Sequence, residues 1–251
     1  MVIKWDLTIP QLSGDQVRRG YVYLPESYDE DPDRRYPGMY FFDGHNVFFD
    51  EDATFGTSWG MNDYMESSGK ELILVGIECN REGNGRLEEY SPFTFENSEL
   101  GRIKGRGKQY MHWLIKELKP YIDETYRTLP DRENTLIAGS SMGGLMALYA
   151  VTTFNQIFQR AACLSPSLWV APGKILELIA RAHLRRDTCI YLDYGAKEMF
   201  NHAANAEALF STAHLLMTKR VNLTFRIVPD GTHCEASWAK QVPIFMDCLG
   251  V

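Results

Sequence analysis

From about residue 70 onward the chain alternates short apolar runs with longer amphipathic stretches, and that alternation leaves few folds open to it. "ELILVGIEC" (71–79), "NTLIAG" (134–139), "RAACLSP" (160–166), "TCIYLDYG" (188–195) and "NLTFRIVPDG" (222–231) are bounded by turn residues, as strands buried on both faces are. "YPGMYFFDG" (36–44) is an earlier run of the same kind. Between them, "KQYMHWLIKELKPYIDETY" (108–126) sets Met111, Leu114, Ile115, Leu118, Tyr121 and Ile122 at helical spacing, with charges on the other face. Residues 143–154, 174–184 and 201–218 read as further helices, and a closing helix lies within 237–249. Strand and helix in alternation imply an α/β chain with a mostly parallel sheet and helices on both faces. "VRRGYVYLP" (17–25) alternates and is expected to be an outer strand. No repeat, low-complexity tract or long linker divides the sequence, so one domain over 1–251 is expected.

In such sheets chemistry gathers in the loops at the carboxyl ends of the strands. The loop after "NTLIAG" is Gly139-Ser140-Ser141-Met142-Gly143, a G-x-S-x-G centred on Ser141. Centring it on Ser140 fails, because Ala138 and Met142 stand where glycines are needed. A strand-to-helix turn this sharp holds its central residue in a strained conformation, and side chains at the flanking positions would collide. The turn lifts the Ser141 hydroxyl above the sheet and leaves the Met142 N–H at a helix N-terminus, suited to an oxyanion.

A serine hydroxyl needs a base, and the base needs an orienting acid, which in this fold follow in the order Ser, Asp or Glu, His. Of six histidines, His112, His183, His202 and His214 fall in predicted helices and His45 precedes the serine. His233, in "VPDGTHCEASW" after the last strand, is the expected base. Glu198 in "GAKE" is the expected acid. Asp193 competes from inside the preceding strand, and Asp230 more plausibly shapes the turn before His233. The second oxyanion donor is expected at the N–H of His45, aimed by the tight turn Asp43-Gly44. Asp43, His45, Asp50, Glu51 and Asp52 also cluster there, but their spacing matches no zinc or calcium loop, so no metal is expected.

The net charge of −7 disfavours nucleic acid or an anionic membrane as partner, since phosphates need a basic face. Five widely spaced cysteines with no C-x-x-C point to reduced thiols rather than a disulfide framework. The first residues contain Asp6 and Pro10 and no apolar core of a signal peptide, and no run approaches the ~18 apolar residues of a membrane span. A cytoplasmic protein is expected.

"YPGMYFFDGHNVF", "GSSMGGLMALYA", "YLDYGAKE" and "DGTHCEASW", in that order, resemble the esterase-D-type branch of the α/β-hydrolases, over roughly residues 17 to 249. That branch includes feruloyl and acetyl-xylan esterases of carbohydrate esterase family 1, siderophore esterases, S-formylglutathione hydrolase and mycolyltransferases. The resemblance implies the α/β-hydrolase fold, with Ser141 as nucleophile, His233 as base, Glu198 as acid, and the N–H groups of Met142 and His45 as oxyanion donors. It also implies a serine carboxylesterase without a cofactor, acting on a soluble small-molecule or oligosaccharide ester such as an acylated sugar or a feruloyl or acetyl ester. A siderophore trilactone esterase, an S-formylglutathione hydrolase, an acyltransferase on the same residues and an inactive binding module are the alternatives. About twenty residues separate the strands ending near Ser165 and starting at Thr188, too few for a large apolar lid. Trp169 and Trp59 are candidate platforms for an aromatic or sugar ring, and Arg81 and Arg86 candidate contacts for an acidic or hydroxylated substrate.

Overall fold

The computed structural model describes residues 1–199 and 203–251, so the expectation for His202 lies outside the described residues. The strands are β1 (Val2–Thr8), β2 (Val17–Tyr23), β3 (Gly38–Phe42), β4 (Ile73–Ile77), a small hairpin of β5 (Phe95–Asn97) and β6 (Gly101–Ile103), then β7 (Thr135–Ser140), β8 (Arg160–Leu164), β9 (Cys189–Gly195) and β10 (Asn222–Val228). The helices are α1 (Pro10–Ser13), α2 (Met61–Ser68), α3 (Gly85–Glu89), α4 (Gly107–Trp113), α5 (Lys119–Thr125), α6 (Met142–Thr153), α7 (Pro172–Arg181), the single turn α8 (Ala196–Met199), α9 (Ala203–Thr218), α10 (Glu235–Ala239) and α11 (Val242–Cys248). None of them is long and apolar enough to cross a membrane.

Eight strands form one sheet in the order β1-β2-β4-β3-β7-β8-β9-β10. β1 and β2 are antiparallel to their neighbours, and β4, β3, β7, β8, β9 and β10 all run parallel. The connections leave β3 toward one edge and β7 toward the other, so the elbow after β7 stands at the switch point of the sheet, where open α/β folds place their sites.

Period-two alternation divides the core between the two faces. Tyr40 and Phe42 of β3 join one cluster with Met111, Leu145 and Leu209, while Met39 and Phe41 join another with Trp59, Trp238 and Phe245. Helix α6 is buried at every position from Met142 to Thr152, which is why its sequence is apolar all round.

Three expectations need correcting. The strand expected at the outside, β2, is second from the edge, because residues 2–8 form the edge strand β1 and pair with it along seven positions. The helix expected over 108–126 runs from α4 into α5 through a wider π-helical segment, Leu114–Leu118. Pro120 sits just beyond, with no N–H to give and a ring that crowds the preceding turn, and the wider turn absorbs the misfit. The single closing helix is two, α10 and α11, with Pro243 in the first turn of the second. The five cysteines are free thiols.

Two buried acids beside the sheet are accommodated in different ways. Arg18 of β2 and Glu89 of α3, each about 2% exposed at the side chain or less, form a two-pronged pair with Nη1–Oε2 at 2.7 Å and Nη2–Oε1 at 2.5 Å. Asp193 of β9 is 1% exposed and accepts from the Ser165 N–H at 3.0 Å and the Tyr191 hydroxyl at 2.9 Å. Burial pushes its carboxyl up to about 7, against those two hydrogen bonds.

Breaking the ion pair from one side strands a buried charge, so Glu89→Ala is expected to lower unfolding free energy by about 3–5 kcal/mol in urea titrations, and Arg18→Met/Glu89→Leu by much less. Equal losses would show that the pair's charges do not govern the site. For Asp193, the native state holds its proton to higher pH than the unfolded chain, so this contribution to stability is lost as pH rises from about 4 through about 7. Relative to wild type, Asp193→Asn should therefore gain in urea midpoint between pH 5 and pH 8, and an unchanged difference would exclude the raised carboxyl.

Candidate active site

Gly139 and Gly143 make the elbow. A Cβ on Gly139 would lie 2.5 Å from the Gly143 carbonyl carbon, and one on Gly143 would lie 2.9 Å from the Phe42 Cβ. Between them Ser141 takes φ 57° and ψ −121°, a conformation that an L residue adopts only under constraint. The constraint is hydrogen bonding: the Ser141 N–H donates to the Leu164 carbonyl at 2.9 Å, and its carbonyl accepts from the Leu145 and Ser167 N–H groups, both at 3.0 Å. Oγ is left above the sheet, 2.8 Å from His233 Nε2 and 3.3 Å from Ser167 Oγ.

His233 follows β10 on a turn closed by Gly231, and its ring stands edge-on to Trp238 with centroids 5.0 Å apart. Nδ1 lies 2.6 Å from Glu198 Oε2. An ionised carboxylate only accepts, so Nδ1 donates to Glu198 and Nε2 accepts from the Ser141 hydroxyl. Glu198, on the turn α8, is 4% exposed, and its other oxygen accepts from Ser165 Oγ at 2.8 Å and the Gly195 N–H at 3.1 Å. Trp238 Nε1 donates to Ser165 Oγ at 3.1 Å, so the serine is fixed in turn. Its role was not legible in the sequence, and its φ of 42° marks it as held in place by this network. The two loops that carry Glu198 and His233 touch at backbone level: a Cβ on Gly195 would sit 2.4 Å from the Gly231 oxygen. Asp193, the competing acid, turns instead to Ser165 N–H and Tyr191.

Met142 opens α6, where an N–H has no acceptor within the helix. His45 lies in a single 3₁₀ turn, Gly44–Asn46, after Asp43, whose φ of 55° is left-handed. The His45 ring itself is buried against Thr54, Nε2 to Oγ1 at 3.0 Å, and burial lowers its pKa. The backbone, not the ring, is what this turn offers to the site.

Ser141, His233 and Arg86 stand between two cavities. One, of about 400 Å³, is walled by Leu87, Asn97, Met142, Ser167 and Trp169. The other, of about 430 Å³, is walled by Asn46, Phe55, Asn80, Arg81 and Glu235. Trp169 is 37% exposed, its ring stands edge-on to Phe95 of the hairpin at 5.6 Å, and its backbone N–H donates to Asn205 Oδ1 at 2.8 Å. The connection between β8 and β9 is as short as expected, holding one 3₁₀ turn and α7. The β5–β6 hairpin, which no sequence signal announced, supplies the rest of that rim.

The expected substrate contacts divide. Trp169 faces the first cavity and Arg81 the second, where Arg81 pairs with Glu78 at 2.8 Å. Trp59 is a correction: it is 4% exposed and lies between Phe41 and Phe245 in the core, because its loop is tied back by Trp59 N–H to the Asn46 carbonyl. Arg86 borders both cavities, but Nε and Nη2 are taken by the two oxygens of Asp43, at 2.8 and 2.7 Å. That ion pair also bears on metal binding. Among the described residues, Asp43, His45 and Cys79 bring possible ligand atoms within 4.8 Å of one another. Both Asp43 oxygens already face a guanidinium, whose charge would repel a cation there. The other acids of that loop are engaged too, Asp50 with Ser58 and Asp52 with Lys4.

Comparisons with known proteins bear on the fold and the family. The IroE-like serine hydrolase of Shewanella oneidensis superposes with a TM-score of 0.77 at 20% identity, over 98% of this chain and 81% of that one. A ferulic acid esterase gives 0.73 at 20% identity, over 100% and 98%. The enterobactin esterase of Shigella flexneri gives 0.72 at 18% identity over 99% of this chain, which spans 58% of that larger protein. In sequence, the protein named "Uncharacterized protein YbbA" of Bacillus subtilis (strain 168) is 25% identical over 184 residues, 72% of this chain and 69% of its own. The structural likenesses establish a shared fold. The Esterase family model matches residues 13–244, leaving out little more than β1 and the last residues of α11. The chain therefore belongs to the Esterase family, serine carboxylic ester hydrolases built on the α/β-hydrolase fold.

Proposed function

We propose that the protein hydrolyses a soluble ester of an aromatic hydroxy acid, of the hydroxycinnamoyl kind, through a Ser141–His233–Glu198 triad. The observation that carries this reading is the unbroken chain of contacts, 2.8 Å from Ser141 to His233 and 2.6 Å from His233 to Glu198, opening between two cavities. His233 Nε2 takes the Ser141 proton as Oγ attacks the ester carbonyl. The N–H groups of Met142 and His45 receive the developing oxyanion, each worth about 3 kcal/mol in the transition state. His233 then protonates the departing alcohol, and water, activated by the same nitrogen, hydrolyses the acyl-enzyme. Glu198 holds the imidazole in the tautomer that this sequence requires. No step calls for a cofactor.

The aromatic acyl group is supported by the first cavity. The Trp169 indole at its rim, edge-on to Phe95, and Leu87 and Met142 in its wall form a slot of the size expected for a small ligand, about 400 Å³. A neighbour of the same fold is named as a ferulic acid esterase, and another as an enterobactin esterase. Asn97 and Ser167 offer hydrogen bonds for ring hydroxyls at the same wall.

The triad is tested with p-nitrophenyl acetate and methyl ferulate. Ser141→Ala and His233→Ala should each lower kcat by at least ~10⁴-fold, and Glu198→Gln by about 10²–10⁴-fold, with KM nearly constant. A Ser141→Ala protein of full activity would overturn the mechanism. Trp169→Ala should raise KM for methyl ferulate by about tenfold and leave p-nitrophenyl acetate nearly untouched, since only the larger acyl group reaches the ring. Equal effects on both esters would remove the aromatic slot.

A further inference from the structure

We propose that the Arg86–Asp43 ion pair is the positioning device for the oxyanion site, setting the His45 N–H and cancelling the charge that would otherwise oppose the oxyanion. The inference rests on the mechanism proposed above and adds to it two residues that touch neither the nucleophile nor the base.

An oxyanion donor acts only if it is held where the charge develops. The turn that presents His45 is a poor candidate for holding itself. It is three residues long, and it begins at a non-glycine residue in the left-handed region, Asp43 with φ 55°. Three contacts fix Asp43. Its N–H donates to the Tyr90 hydroxyl at 3.0 Å, its carbonyl accepts from the Asn46 N–H at 2.8 Å, and its carboxylate is gripped by Arg86 on both oxygens. The next residue, Gly44, lies flat on the neighbouring strand, where a Cβ would come 2.4 Å from the Gly76 carbonyl carbon. Asn46 and Val47 anchor the far end of the turn through Trp59 and Met61, and Arg86 grips its first residue.

The same carboxylate reaches the other arm of the site. A Cβ on Gly143 would lie 3.4 Å from Asp43 Oδ2, so this oxygen rests beside the helix start that carries Met142. An unpaired carboxylate there would repel an oxyanion held by Met142 and His45. Burial by itself would raise the Asp43 pKa, but Arg86, with smaller help from His45 and Cys79, outweighs burial and keeps the acid ionised, so Arg86 and Asp43 form a neutral pair rather than a bare charge. Arg86 is held from behind in turn. It rides on α3, which the buried Arg18–Glu89 pair clamps to β2, and its guanidinium lies over the Tyr90 ring at 5.6 Å. With Nε and Nη2 committed to Asp43, Arg86 serves the site through that carboxylate.

The test compares Arg86→Met, Asp43→Asn and the double variant with wild type, using p-nitrophenyl acetate, whose acyl group is too small to reach remote contacts. Each single variant should lose about 10–100-fold in kcat with KM within about threefold, as misplaced catalytic groups do. The double variant should be no worse than the poorer single, because both substitutions break one unit. Inhibition by phenylboronic acid, which mimics the tetrahedral intermediate on the nucleophile, should weaken in step with kcat. A raised KM at unchanged kcat, multiplying losses in the double variant, or undiminished boronate inhibition would each overturn the proposal. Circular dichroism and thermal midpoints check folding, and Arg86→Lys, which keeps the charge but not the two-pronged grip, carries the same measurements if Arg86→Met does not fold. Ser141→Ala assayed alongside separates the two levels: activity there would remove the mechanism itself, whereas its loss leaves the ion pair as the only idea under test.

Discussion

Gly139 lies so close to the Gly143 backbone, and Gly143 so close to Phe42, that neither position has room for a methyl group, and the geometry of the site descends from that packing. It forces the chain to reverse from strand to helix within two residues and leaves Ser141 in a backbone region that costs about 1–3 kcal/mol. The surrounding hydrogen bonds to Leu164, Leu145 and Ser167 offset that strain and fix the direction of the hydroxyl. Because β7 lies beside β3 at the switch point, the same contact brings the start of α6 against Phe42 and Asp43. The two proposed backbone donors, Met142 and His45, thus follow neighbouring strands for a topological reason.

Around this point the protein buries an unusual amount of ionisable chemistry, and it handles each group differently. Arg18 with Glu89 and Arg86 with Asp43 are neutralised by two-pronged pairing, which suits the planar fork of arginine. Asp193 has no such partner at its oxygens and is relieved by a raised pKa and by neutral donors. Glu198 faces the His233 imidazole on one oxygen and the Ser165 hydroxyl and Gly195 N–H on the other. Under the proposed mechanism, which develops a transient negative charge, these permanent charges are cancelled close by.

Much of this was legible in the sequence, and the exceptions have physical reasons. The parallel strands announce themselves because strands buried on both faces are continuous apolar runs, and the elbow does so because only glycine fits there. Ser141, His233 and Glu198 could be named as candidates because chain order in this fold limits the choice, and the structure brings their side chains within hydrogen-bond distance. β1 carried a signal, since Ile3, Trp5 and Leu7 alternate with Lys4, Asp6 and Thr8, but seven residues give no sign of which strand they flank. Trp59 misled because a tryptophan among polar loop residues looks exposed, whereas backbone bonds from Trp59 to Asn46 and Met61 to Val47 fold that loop into the core. The Arg86–Asp43 pair was beyond reach for another reason. Its members lie 43 residues apart and meet only because α3 is clamped to β2, a fact of tertiary structure with no local signature.

The contact between Gly195 and Gly231 has a consequence for the choice of acid. With the two loops pressed together at their backbones, neither can slide toward the other, so the span between position 198 and the imidazole is a fixed length. Glu198 fills it with its last methylene: one oxygen reaches His233 and the other still reaches back to Ser165 and the Gly195 N–H. An aspartate at the same place would end about 1.5 Å short, roughly one carbon–carbon bond. In this scaffold the longer carboxylate is a matter of measured reach, and exchanging it for the shorter one would require rebuilding a backbone contact that has no slack to give.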